Sequence, residues 1–229
     1  MKAVILAAGM GTRLGTLIPK PLTSIKNEKT IMDYQVERLS EKVGRNNIIV
    51  VVGYKKELIM EKFPDLTFVY NPAYAQTNTS KSLHTALRKI DDDVIWMNGD
   101  VFFQDEALDL LLDARDSSLL VDTKKCGDEE VKYTLDDSGN IASLSKQVED
   151  GLGESVGVNL ILRKDIEALS KALDEVENQD YFEKAIENLV IDNSLVVKPI
   201  ALGDIFCQEI DFESDLQSTI KQAISLGLV

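Results

Sequence analysis

Cysteine is scarce in this 229-residue chain: Cys126 and Cys207 are the only two. That is too few for a disulfide framework, and reduced thiols in a cytoplasmic setting follow. Neither has metal-ligand spacing or a catalytic partner. No apolar run approaches the roughly 18 residues that a membrane span requires, so membrane insertion is not expected. The first apolar run, between Lys2 and Gly9, is six residues long. It is shorter than a secretory core and reads as a buried strand, which points to a soluble, intracellular protein. Basic runs are missing too, with 25 Lys and Arg against 39 Asp and Glu and a net charge of −14. A polyanion would be repelled on average, which excludes nucleic acid as a generic partner. A small anionic ligand is not excluded, because a few local cations and backbone N–H groups outweigh a distant field. Repeats, low-complexity tracts and Pro/Gly/Ser-rich linkers are absent. What remains, 44% hydrophobic and 28% charged, is an ordinary globule and excludes global disorder.

Short β-branched runs alternate with longer stretches of helical spacing. Residues 3–6, 48–52, 67–70 and 94–97 are compact apolar runs suited to strands buried on both faces. Between them, residues 30–42, 55–62 and 80–90 carry apolar side chains at helical spacing, as with Ile31, Tyr34, Val36 and Leu39, or Leu83, Ala86, Leu87 and Ile90. This alternation predicts right-handed βαβ crossovers and an α/β fold with a mainly parallel sheet between helices. The second half reads differently. Residues 131–135 and 141–144 form a hairpin around a turn at 136–140, and 155–162 is another strand. Helices follow near 164–173 and 181–189, then a strand at 206–210 and a closing helix from about Glu213. We read one domain, 1–229, with a nucleotide-binding half up to about residue 115 and an acceptor-side half from about 116 that elaborates the same sheet.

The most informative segment follows the first strand: Leu6-Ala7-Ala8-Gly9-Met10-Gly11-Thr12-Arg13-Leu14. Small residues and two glycines let the backbone approach a phosphate chain and turn its N–H groups inward. Arg13 can add bidentate bonds to phosphate oxygens. Shortly after, Pro19-Lys20-Pro21 holds a lysine between two rigid residues, so Lys20 is aimed. A P-loop is eliminated, since Gly11 is followed by Thr12-Arg13 and not by Lys-Ser/Thr. The dinucleotide fingerprint fails as well: Leu14 stands where a small residue is needed, and the second strand ends Val52-Gly53-Tyr54 without a carboxylate.

LAAGMGTRL followed by PKPL resembles the signature of the sugar-phosphate type of nucleotidyltransferase, and within it the phosphocholine cytidylyltransferase-like branch. The resemblance covers nearly the whole chain. It implies a Rossmann-like, mainly parallel mixed sheet flanked by helices, of the nucleotide-diphospho-sugar transferase-like fold. It also implies Leu6, Ala7, Ala8, Gly9, Met10, Gly11, Thr12, Arg13 and Lys20 as nucleotide contacts, with Arg13 and Lys20 catalytic. One departure is that only residues 15–18 separate Leu14 from Pro19. That spacing is shorter than in many sugar-nucleotide members and implies a tighter lid over the triphosphate.

The strand at 94–97 ends in Asn98-Gly99-Asp100, which puts Gly99 and the Asp100 carboxylate at the carboxyl edge of the sheet, beside the glycine loop. Glu209-Ile210-Asp211 occupies a comparable strand end. Two converging carboxylates can hold Mg²⁺, a hard ion that shares oxygen ligands with phosphates. The resemblance assigns Asp100 and Asp211 this role. The alternative is that Asp100 caps the helix starting near Asp105, or that Asp211 caps the last helix. Glu209 lies further back, as a supporting group. The polar segment 71–80 can read a nucleobase edge. The resemblance places base recognition there, on Gln76, Asn78, Thr79 and Ser82, while Thr79 or Ser80 as a helix N-cap is the structural alternative.

Lys132, Lys146 and the segment starting at Glu154 resemble the family's acceptor-side elements, with both lysines as anchors for the acceptor phosphate. Asp180-Tyr181-Phe182-Glu183 offers aromatic faces and carboxylates to a quaternary or primary ammonium, or simply core residues at a helix start. His84, the only histidine, and Trp96 read as structural, and Asp91-Asp92-Asp93 as a solvated turn. The implied reaction is Mg²⁺-dependent transfer of CMP from CTP to a small phosphorylated acceptor such as phosphocholine, with pyrophosphate released. The implied setting is lipid-head-group or cell-surface polymer synthesis. CTP rests on the resemblance alone. A sugar-1-phosphate nucleotidyltransferase and a non-catalytic nucleotide-binding subunit are the alternatives, and the oligomeric state, homo-oligomer included, stays open.

Overall fold

The apolar runs form the elements that their periodicity demands, and the computed structural model describes residues 1–11, 14–15, 17–124 and 126–229. The first half runs β1 (Lys2–Ala7), β2 (Ser24–Lys26), β3 (Lys29–Thr30), α1 (Ile31–Val43), β4 (Ile48–Val52), α2 (Lys56–Lys62), β5 (Thr67–Tyr70), α3 (Thr79–Leu87), β6 (Val94–Asn98), β7 (Val101–Phe103) and α4 (Asp105–Leu112). The second half runs β8 (Ser118–Asp122), β9 (Lys132–Leu135), β10 (Ile141–Ser145), β11 (Glu154–Ile161), α5 (Ile166–Glu175), α6 (Phe182–Ile191), β12 (Lys198–Ala201), β13 (Cys207–Glu209) and α7 (Glu213–Ser225).

Nine strands form the main sheet in the order β10-β9-β11-β6-β1-β4-β5, with β8 against β11 and β12 against β8. β1, β4, β5 and β6 are mutually parallel. β11 then runs antiparallel to β6 and joins the two halves of the chain. Side chains alternate across the sheet. Val4, Leu6, Val94 and Trp96 pack under α3, α5 and α6, while Ala3, Ile5, Ile95 and Met97 pack under α1, α2 and α4. Both faces of β1 are therefore covered, which is why it reads as an unbroken apolar run. Each fully buried Ile, Val or Leu contributes about 1.5–3 kcal/mol. Among the described residues, no helix is long and apolar enough to cross a membrane, and Cys126 and Cys207 are both free.

Three expectations need correction. The strand expected at 206–210 exists as β13, but it pairs with β7 in a separate two-stranded ribbon rather than in the main sheet. The main sheet instead gains β8 and β12. The helix expected to reach residue 90 stops at Leu87. Finally, Asp91-Asp92-Asp93 is not merely solvated. Arg163 binds Asp91 through two bonds of 2.7 Å, the chain N-terminus binds Asp92 at 2.7 Å, and Arg163 N–H donates to Asp93 at 2.7 Å.

Candidate active site

The strand register decides where the chemistry sits. Leu6 on β1 lies opposite Asn98 on β6, so the glycine loop and the Asn98-Gly99-Asp100 turn leave the sheet side by side. Gly99 N–H donates to the Leu6 carbonyl at 2.9 Å. A Cβ at Gly99 would lie 2.7 Å from Pro21 Cγ and 2.9 Å from that carbonyl oxygen, so only glycine permits this approach. The Pro19-Lys20-Pro21 segment is thereby seated directly on the turn. Gly11 has φ +61, and a Cβ there would meet Lys20 Cγ at 3.0 Å. The lysine stem therefore lies along the glycine loop.

The β7–β13 ribbon supplies the second carboxylate. Val101 pairs with Glu209, and Ile210 N–H donates to the Asp100 carbonyl at 2.9 Å. Asp100 and Asp211 consequently meet at one place, although 111 positions separate them in sequence. Their meeting point is Lys20. Its ammonium donates to Asp100 Oδ2 at 3.0 Å and also to Asp211 Oδ1, and the residue is buried. Burial alone would push the ammonium pKa down. The charges of Asp100 and Asp211 and the hydrogen bonds to both outweigh it, and the net shift is upward. Neither aspartate acts as the helix cap considered above, since Gln104 and Phe212 hold those positions. Glu209 is open to the cleft yet crowded by protein. That crowding, with the like charges of Asp100 and Asp211, holds its carboxyl well above the usual carboxylate range. Asn98 Nδ2 donates to Glu209 Oε1 at 3.2 Å.

These groups border a cleft of about 450 Å³. Leu6, Ala7, Gly9, Gly11, Lys20, Asp100 and Asp211 line it. Ala8 and Gly99 shape the backbone without lining it, and Met10 points to solvent. Thr12 and Arg13 lie outside the described residues. Of the expected base-reading residues, Asn78 and Thr79 line the cleft. Asn78, not Thr79 or Ser80, is the N-cap of α3, its side chain accepting from Thr79 N–H at 2.8 Å. Gln76 is exposed away from the cleft. Ser82 is buried, accepting from Asn71 Nδ2 at 3.1 Å in a structural network.

Of the expected acceptor-side residues, Lys146, Glu154 and Tyr181 line the cleft and Lys132 does not. Lys146 Nζ lies 4.9 Å from the Tyr181 ring centre and 3.3 Å from Glu129. Glu154 is taken up by Lys124 at 2.7 Å. Burial raises the Glu154 pKa, and the hydrogen bond and charge of Lys124 only partly offset that rise.

Sequence reasoning missed two residues. Lys124 is a cleft cation at the end of the unrecognised β8. Gln35 is a buried residue of α1 whose Nε2 donates to the carbonyls of Asn98 at 2.9 Å and Val101 at 2.8 Å, clamping the Asp100 turn. The available signal was a lone polar residue in the apolar stripe Ile31, Gln35, Leu39.

The donor set suits a magnesium ion: two carboxylates whose oxygens already converge on one cation, at the edge of an open cleft. No cluster of three His, Cys, Asp or Glu side chains suited to a metal occurs among the described residues. Such an ion would complete its shell with phosphate and water oxygens.

Comparison with known proteins identifies the family and the fold. The MobA-like NTP transferase domain matches residues 3–182. The choline-phosphate cytidylyltransferase of Streptococcus pneumoniae is 46% identical over 90 residues, covering 37% of this chain and 38% of that protein. This chain thus matches well under half the length of that relative. The 2-aminoethylphosphonate cytidylyltransferase of Lancefieldella rimae is 27% identical over 216 residues, covering 91% of this chain and 86% of that protein. Among solved structures, the CTP:phosphocholine cytidylyltransferase of Streptococcus pneumoniae shares the fold, with a TM-score of 0.78, 23% identity, and coverage of 96% of this chain and 98% of that one.

Proposed function

Because the chain belongs to the family of MobA-like NTP transferase domains, we propose that it transfers CMP from CTP to a small phosphorylated or phosphonate acceptor and releases pyrophosphate. The observation that carries this reading is the buried Lys20 ammonium shared by Asp100 and Asp211 under the glycine loop. An acceptor oxygen attacks the α-phosphorus in line, and pyrophosphate leaves with the P–O bonding pair. The acceptor oxygen is already ionised at neutral pH, so no base is needed. His84 accordingly stays outside the cleft, its Nδ1 2.8 Å from the Ser170 carbonyl.

The obstacle is repulsion between two anions, and preorganised cations lower it. Backbone N–H groups of the glycine loop and Arg13 receive the triphosphate. Lys20 exchanges its carboxylate partners for an α-phosphate oxygen and offsets the charge that builds there. Asp100 and Asp211 would hold Mg²⁺, which when bound supplies charge neutralisation at phosphate oxygens. Lys124 and Lys146 meet the acceptor phosphate. Residues up to about 115 thus serve the nucleotide and the remainder the acceptor, in the cytoplasm where CTP is made. CTP is favoured over other donors by the names of the two cytidylyltransferase relatives.

The test is pyrophosphate release with CTP, UTP, GTP and ATP against a panel of phosphorylated alcohols, phosphonates and sugar 1-phosphates. Magnesium-dependent release with CTP and a phospho-alcohol or phosphonate is expected. No release with any pair sinks the enzymatic reading, and a preference for sugar 1-phosphates replaces the acceptor class.

A further inference from the structure

Glu183 is the second residue of α6, 6% exposed, and it lines the cleft on the acceptor side. Its Oε2 is buried and has no hydrogen-bond partner; among the described residues it is the only carboxylate oxygen in that condition. An unsatisfied buried carboxylate is costly to maintain. Orphans of this kind in native structures call for an explanation, and for a residue on a cleft wall a ligand supplies one.

The surrounding groups narrow what that partner is. Glu154 is paired with Lys124 at 2.7 Å, and Glu130 accepts from Gly127 N–H at 2.8 Å. A quaternary ammonium carries no N–H and is recognised through aromatic faces. The aromatic residues lining this cleft, among those described, are Tyr181 and Phe212. The Tyr181 ring already carries Lys146 Nζ at 4.9 Å. An aromatic cage for a trimethylammonium group is therefore not assembled. What this wall of the cleft holds is a buried oxygen without a donor, and a primary ammonium brings three.

We infer that Glu183 determines acceptor specificity by accepting a hydrogen bond from a primary ammonium on the acceptor, so that amine-bearing phosphates or phosphonates are preferred over those with a quaternary nitrogen. The inference rests on the cytidylyltransferase reading and names the acceptor class within it. The electrostatics agree with the geometry. Burial pushes the Glu183 carboxyl up to about 7, against its own backbone N–H and the charge of Lys146. An incoming cation with N–H groups would remove much of that penalty, whereas a methylated cation would supply charge but no hydrogen bond.

Three probes share a phosphate and a short carbon chain and differ only at the head: phosphoethanolamine, phosphocholine and propyl phosphate. Each is titrated calorimetrically into the full chain and into Glu183→Gln, with magnesium and a non-hydrolysable CTP analogue, and each is assayed for pyrophosphate release with CTP. The wild-type chain should bind phosphoethanolamine about tenfold or more tightly than the other two, because a site built for a hydrogen-bond donor rejects analogues that lack it. Glu183→Gln should erase that preference and leave propyl phosphate unchanged. Equal or tighter wild-type binding of phosphocholine overturns the inference. So does an equal loss for all three probes in the variant, which would mark Glu183 as a structural counter-charge to Lys146. If the variant does not fold, the wild-type comparison decides alone. Selective binding without pyrophosphate release keeps the inference and sinks the transfer reading, while release with unselective binding does the reverse.

Discussion

Replacing Gln35 by Met isolates the clamp on the Asp100 turn. Methionine keeps the volume of this 1% exposed side chain but removes both donors to the Asn98 and Val101 carbonyls. Each lost bond costs about 1 kcal/mol, with roughly 1–3 kcal/mol more for any carbonyl left without a partner. On the other side, Gln35 Oε1 is itself buried without a partner, and deleting it returns about 1–3 kcal/mol. Two bonds are lost and two acceptors orphaned against one acceptor relieved, so the losses win by about 4 kcal/mol. For a chain of this size that is a fall in Tm of roughly 8–16 °C. Calorimetry of the full chain measures it. The positioning role has a separate readout: the magnesium concentration for half-maximal pyrophosphate release should rise about tenfold, as for groups that orient a metal ligand, while the acceptor KM holds. A Tm within about one degree of wild type with an unchanged magnesium requirement refutes the reasoning. A fall in Tm with unchanged magnesium dependence refutes the positioning half alone.

Lys20→Met retains the apolar stem against Gly11 and removes the ammonium shared by Asp100 and Asp211. Turnover should fall on the order of 10²–10³-fold with a native circular dichroism spectrum, and near-normal turnover would refute the role given to Lys20. Glu183 makes stability depend on pH in a definite direction. Its carboxyl titrates near 7 in the folded chain against 4.5 as the ordinary value, so between those values the folded state holds the extra proton. Stability attributable to Glu183 is therefore lost as pH rises through that window, by about 3 kcal/mol at most. Urea melts should find Glu183→Gln more stable than wild type at pH 8 and the difference gone near pH 4.5, and a gap that widens toward low pH contradicts the assignment. Asn78→Ala deletes the α3 cap and the bond to the Gln179 carbonyl at 3.2 Å. It should cost about 1 kcal/mol and raise the KM for CTP; the cap is refuted if Tm holds, and the base contact if KM holds.

What was legible in the sequence follows from which strands are buried on both faces. β1, β4, β5 and β6 read as unbroken apolar runs because helices cover them on either side. β12 escaped notice because Lys198-Pro199-Ile200-Ala201 carries a proline and little apolar pattern, which is what an edge strand bonded only to β8 tolerates. β7 escaped because three residues are too few for a period to appear. The glycine loop, Lys20 and Asp100 were readable as local motifs beside the first and fourth parallel strands. Gln35 and Lys124 were not, since each acquires its role from a contact far away in sequence: Gln35 with residues 98 and 101, and Lys124 with Glu154. Glu183 was visible only as one of several carboxylates, and its lack of a partner is a property of packing alone.

The two halves of the cleft are fastened together at the start of α3. Asn78 N–H donates to the Asn178 carbonyl at 2.8 Å, Ser80 Oγ donates to the Asp180 carbonyl at 2.7 Å, and Phe182 N–H donates to Thr79 Oγ1 at 3.2 Å. Beneath this seam, Phe182 meets Trp96 of β6 edge to face, with ring centres 5.6 Å apart. The first turn of α6, which carries Glu183, is therefore anchored both to the cleft-lining segment at the start of α3 and to the strand that leads to Asp100. A rigid link of this kind suits the proposed reaction between two anions, because the entropy of aligning them is lost when the chain folds and not again at each turnover. The aromatic side chains at the head of α6 divide the work accordingly: Phe182 holds the helix down, and Tyr181 faces the cleft with Lys146 above its ring.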